Sequence, residues 1–158
     1  MQVQGEAIIR NNLLIAGQGT GFNSTDHQGK TSNLQVIHNT IVNTGRAFRG
    51  GSWNAREGMV LANNVIYSRD RDALHFPNGR DGVEIHGNVL LGSGDRLGGS
   101  LGRGLKDFQD LSWDAKHRDA TPVADAPFDQ GDDRYQPELD LNGNPRNQLT
   151  TIAGAVSH

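Results

Sequence analysis

The sequence predicts an all-β chain wound into a solenoid of about four to five coils and finished by an irregular C-terminal tail. Three observations predict it. Four asparagines, Asn12, Asn39, Asn64 and Asn88, recur at spacings of 27, 25 and 24 residues. Apolar residues fall into columns when the segments are aligned on them. The chain of 158 residues holds 21 glycines and only 34% hydrophobic residues, which suits a thin core with many bends better than a globular one. A repeat of this length, carrying a short β-type run in each copy, marks a stacked architecture within a single domain.

The four segments run Glu6–Gly17, Leu34–Gly45, Met59–Arg69 and Val83–Gly94. Five residues before the asparagine stand Ala7, Leu34, Met59 and Val83; three before it stand Ile9, Val36, Leu61 and Ile85. These columns lie two residues apart, the period of a strand with one face inward. Leu14, Ile41, Ile66 and Leu90 follow two after the asparagine, so the alternation breaks there and the chain turns. A last column of Phe22, Phe48, Leu74 and Leu97 predicts a further strand beyond a glycine-rich bend. Each coil is then strand, asparagine turn, strand, bend, strand and a loop of variable length. A helix fails because no segment sustains an i, i+3, i+4 pattern. Stacked coils lie about 4.8 Å apart, which turns the asparagines into a ladder of side-chain amides bonding from coil to coil.

Residues 1–112 are assigned to the coils and 113–158 to the tail. Beyond Leu97 a glycine-rich stretch, Gly98–Gly104, leads to Leu105, Phe108 and Leu111, expected to form a degenerate fifth coil. Pro122, Pro127, Pro137 and Pro145 are expected to break regular structure in the tail. At the other end Met1-Gln2-Val3 leads almost directly into a strand. The first coil would expose an unpaired edge, so preceding coils of a larger protein, or another chain, are expected to cover it.

With these columns the chain resembles the right-handed parallel β-helix proteins, the pectate-lyase-like solenoids, from Ala7 to Phe108. The tail stretches Asp119–Gly131, Leu139–Arg146 and Ile152–Ala155 resemble the closing segment of many bacterial extracellular β-helix proteins. The acidic residue usual after the final aromatic is absent, and Val156-Ser157-His158 stands there instead. The resemblance implies a right-handed coil, an extracellular or cell-surface setting, and a polysaccharide, acidic ones included, as partner. Catalytic groups, where such proteins have them, lie on an outer face. A polysaccharide lyase or glycoside hydrolase and a non-catalytic adhesion or structural module both remain open.

Cleaving an acidic sugar chain by elimination needs a base and a cation, whereas hydrolysis needs paired carboxylates. The loops after the second strand carry Arg46, Arg49, Trp53 and Arg56, then Arg69, Asp70, Arg71, Asp72 and His75, then Asp95 and Arg96. Stacking gathers them into one strip. Arg46, Arg49, Arg56 and Arg69 are the candidates for clamping acidic groups and Trp53 for stacking on a sugar. His75 as base, Arg71 as charge stabiliser and Asp72 as orienting carboxylate are the catalytic candidates. The alternative is a solvated face with inter-coil Arg–Asp pairs. His38 and His86 occupy different repeat positions about two coils, or about 10 Å, apart, and are expected to be separate solvated or ladder-edge residues.

Other chemistry finds little support. A net charge of −3 offers no basic field for nucleic acid, no apolar run is long enough to span a bilayer, and without cysteine there is no disulfide or thiolate site. Asp140-Leu-Asn142-Gly-Asn144 superficially matches a calcium loop, but Pro145 stands at its sixth position and Thr151 at its twelfth. Asp129, Asp132 and Asp133 are the looser calcium candidates, the histidines lack zinc spacing, and no cofactor is expected.

Overall fold

The computed structural model describes residues 1–93 and 99–157, and its chain is a parallel β-solenoid of about four turns. Coil one comprises β1 (Gln2–Val3), β2 (Ala7–Arg10) and β3 (Leu13–Ala16); coil two comprises β4 (Phe22–Ser24), β5 (Leu34–Ile37) and β6 (Thr40–Asn43). Coil three comprises β7 (Phe48–Gly50), β8 (Val60–Ala62) and β9 (Val65–Asp72); coil four comprises β10 (Leu74–His75), β11 (Glu84–His86) and β12 (Asn88–Ser93). Equivalent strands stack in parallel. The first sheet is β1-β4-β7-β10 and the second β2-β5-β8-β11; the third is β3-β6-β9-β12, extended by β13 (Gly99–Leu101).

The expected columns are the inside of the tube. Ala7 pairs in register with Leu34, and Ile9, Val36, Leu61 and Ile85 follow one another across the second sheet. Phe22, Phe48 and Leu74 pair across the first sheet, with the two phenylalanine rings stacked at 5.1 Å and 2°. Leu97 lies outside the described residues.

The turn between the second and third sheets is a single left-handed residue. Asn11, His38, Asn63 and Gly87 precede the four ladder asparagines and have φ of 54°, 49°, 56° and 59°. Glycine takes this conformation without strain, and asparagine and histidine are the side chains that best tolerate it. The asparagine that follows then points inward. Asn12 Nδ2 donates to Asn39 Oδ1 at 2.9 Å, Asn39 to Asn64 at 3.0 Å, and Asn64 to Asn88 at 2.9 Å. Each acceptor also takes the main-chain N–H of the preceding asparagine, which keeps the buried turn satisfied.

The third sheet is buried on both faces. Its outer face carries Val42, Val65, Tyr67 and Val89, which pack against Phe108, Leu111, Ala120, Phe128, Ala153, Ala155 and Val156 in a second core outside the tube. This second core corrects the expectation of a fifth coil. Leu105–Asp107 is a short 3₁₀ turn, and β14 (Phe108–Leu111) pairs antiparallel with β15 (Arg118–Pro122). An apolar outer face must be covered, and a hairpin laid across it buries more of that face than one more coil on the stack would. The hairpin straddles the 112/113 boundary, and its second strand ends at Pro122.

The remaining tail lies along the turn side of the coils. Gly154 N donates to Asn63 O at 2.8 Å, Ala155 N to Thr40 Oγ1 at 3.0 Å, and Asn11 Nδ2 to Leu139 O at 2.7 Å. Arg146 is 3% exposed. It donates to Ile152 O, Gly154 O, Ala155 O and Asn11 Oδ1 at 2.9–3.2 Å, tying the tail to itself and to coil one.

Candidate functional site

Of the three outer faces, the third sheet lies under the hairpin and tail, and Tyr135 packs on Ile37, Val60 and Ala62 of the second. The first sheet carries a polar column instead. Strand alternation turns Phe22, Phe48 and Leu74 inward, so their neighbours Asn23, Arg49 and His75 point outward. Register places these three side by side, and Gln2 continues the row. Arg49 Nη1 donates to Asn23 Oδ1 at 3.1 Å. A Cβ on Gly51 would lie 2.5 Å from that nitrogen, so the glycine makes room for the guanidinium.

Asp72 and Arg46 flank the column. Asp72 Oδ2 lies 3.7 Å from Arg46 Nη2 and 3.7 Å from His75 Nδ1. All three side chains are about a third exposed, at 31% for Arg46 and 33% for Asp72 and His75. Partial burial and the Arg46 and Arg49 charges hold His75 below the ordinary histidine range, with Asp72 opposing them. The imidazole is therefore neutral at neutral pH and able to accept a proton. The site so assembled is an imidazole, a carboxylate and two guanidiniums on an open strip.

Several expected members stand elsewhere. Arg71 is exposed, and its ion-pair influence falls on Asp70 rather than His75. Arg46 and Arg49 occupy the place expected for it, because β9 runs straight through Arg71 while the neighbouring coil supplies residues in register with His75. Arg69 is bound by both nitrogens to Asp70, at 2.9 and 2.8 Å. Arg56 pairs with Asp26 at 2.7 Å. Asp95 and Arg96 lie outside the described residues.

Trp53 needs correction. It is 0% exposed, meets Phe48 edge-on at 5.2 Å and lies 6.0 Å from Phe76. Its loop folds the indole back onto the aromatic end of the core, where the apolar ring loses its contact with water, and no face is left for a sugar. His38 is a ladder-edge residue and not a solvated one. It is 0% exposed beneath the tail, with Nε2 2.9 Å from Asn63 Nδ2. Asn23, which completes the column, was legible only through register, since a lone asparagine in a polar loop carries no signal.

Two of the acidic tail residues, Asp132 and Asp140, have local partners. Asp132 is held by Arg134 through Nε at 3.0 Å and Nη2 at 2.6 Å, and both Asp140 oxygens accept from Asn142, Asn144 and Ser157. Among the described residues no three His, Asp or Glu side chains gather as a metal site, and no helix is long and apolar enough to cross a membrane. No known protein family, curated protein or solved structure matches the chain.

Proposed function

We propose that the outer face of the first sheet binds an acidic polysaccharide laid along the solenoid axis. The observation that supports this most is the in-register row Asn23–Arg49–His75 with Arg46 beside it. Coils repeat every ~4.8 Å, so an extended polymer laid along the axis meets one residue of this row at each step. Arg49 and Arg46 supply charge-assisted bonds to carboxylates, and Asn23 supplies a neutral partner for hydroxyls. A neutral His75 beside two guanidiniums also has the parts for abstracting a proton next to a carboxylate whose charge they neutralise. A substrate of this kind implies an extracellular or surface setting.

Titration calorimetry with polygalacturonate, alginate and a neutral glucan tests the reading. Arg49→Ala is expected to weaken binding to the acidic polymer by about tenfold, with the loss shrinking as salt rises. His75→Ala is expected to change affinity by less than about threefold, in keeping with a neutral ring, and to abolish any release of unsaturated uronate. Indifference of all acidic polymers to the native chain, or of affinity to Arg49→Ala, would refute the proposal.

A further inference from the structure

The turn side of the solenoid contains a buried ionisable group for which the polysaccharide reading has no use. His38 occupies the left-handed turn of coil two and is 0% exposed. Its Nε2 meets the Asn63 amide, whose nitrogen also donates to Asp132 O at 2.8 Å while its oxygen accepts from Asp132 N. The tail segment Ile152–Ala155 closes over it, and the buried guanidinium of Arg146 is the charge it feels most. Asn63 Nδ2 is a donor, so Nε2 is the lone-pair nitrogen of a neutral ring. A proton arriving there would meet that donor head-on, next to a cation already out of water.

We propose that the tail from Phe128 to Ser157 is an acid-released latch, with His38 as its trigger. Opening it hydrates His38 and separates it from Arg146. Opening also uncovers the apolar outer face of the third sheet at Val42 and Val65, against which Phe128, Ala153 and Ala155 now lie. The asparagine ladder is built inside the tube without any tail atom, so the coils keep their own bonds when the tail leaves.

The other charged groups on the surrounding elements are already engaged or turned elsewhere. Asp140 in the tail gives both oxygens to Asn142, Asn144 and Ser157. Asp132 pairs with Arg134, Glu84 lies 3.8 Å from His86 on the next coil but one, and Arg10 stands exposed on coil one. Among the described residues no carboxylate bonds to the His38 ring. Burial, reinforced by Arg146, holds the closed-state ring at about 3, against which the carbonyls of Gly154 and Ile152 pull only partly. A hydrated ring titrates near the ordinary ~6.5. Between those values only the open form takes up the proton, and the open population rises about tenfold for each pH unit lost.

Hydrogen exchange of the full chain from about pH 7 to about pH 4, with rates referred to the free-peptide rate at each pH, reads this directly. Protection of the Gly154 and Ala155 amides is expected to fall about tenfold per pH unit below about 6.5, while the Asn39 and Asn64 amides in the ladder stay protected. In His38→Asn the tail protection is expected to be flat over the same range. Asparagine already serves this turn at Asn11 and Asn63, so the backbone accepts it. Flat protection in the native chain, an equal slope in His38→Asn, or ladder amides opening together with the tail would each overturn the latch. A direct readout needs no variant: the His38 ring resonances should take up their proton in step with tail opening. Titration near 6.5 with the tail amides still protected would overturn it as well.

Discussion

Asn64→Ala is expected to lower the unfolding free energy by about 4 kcal/mol, measured by urea denaturation. The side chain is 0% exposed and its Nδ2 reaches Val36 O, Ala62 O and Asn88 Oδ1 at 2.8–3.0 Å. Its Oδ1 accepts Asn39 N and Nδ2 at 2.9 and 3.0 Å. Truncation leaves donors and acceptors of three coils facing one another across a space without water. Each orphaned group costs about 1–3 kcal/mol, and partial relaxation makes the sum smaller than the parts. Asn12→Ala removes the outermost rung, where the side chain is only partly buried, and is expected to cost about 1 kcal/mol because water replaces the missing amide. Equal costs at the two positions would mean that burial does not govern the ladder.

Trp53→Ala is expected to cost about 3–5 kcal/mol by the same measurement, while leaving polysaccharide affinity unchanged wherever the chain stays folded. The indole fills the end of the core against Phe48 and Phe76, and its removal opens a cavity that the glycine-rich loop cannot refill by side-chain movement. Its Nε1 has no partner among the described residues, so Trp53→Phe gives up volume but no hydrogen bond and is expected to cost about half as much. A Trp53→Ala chain of native stability that had lost its ligand would restore the stacking role and refute the burial argument.

The repeat was legible because stacking is self-referential: each coil needs the same inward residue at the same place, so Ala7, Leu34, Met59 and Val83 announce themselves. The second core was legible in hindsight. Leu13-Leu14-Ile15, Val65-Ile66-Tyr67 and Val89-Leu90-Leu91 are apolar on both faces, which a strand with one wet side does not require. The turn residue was visible as the set Asn11, His38, Asn63, Gly87, yet only the backbone shows that these share a positive φ. Trp53 was misplaced because a loop between glycines looks exposed, and sequence does not say which way a loop folds over the end of a core. Arg46 and Arg49, rather than Arg71, are the guanidiniums that act on His75 for a related reason. Proximity in sequence competes with proximity across coils, and in a solenoid the residue some two dozen positions away is often the nearer neighbour.

The tail has a mechanical consequence. A bare solenoid pulled from its ends carries the load on rows of bonds lying parallel to the force, and yields one coil after another like an uncoiling spring. Here Leu139 and Arg146 are moored to Asn11, Ala155 to Thr40, and Gly154 and Asp132 to Asn63. Three successive turns of the spring are thus bridged by one lengthwise stay, and none of them can extend until the stay slips. Over those three coils the tail shares the load with the asparagine ladder beside it.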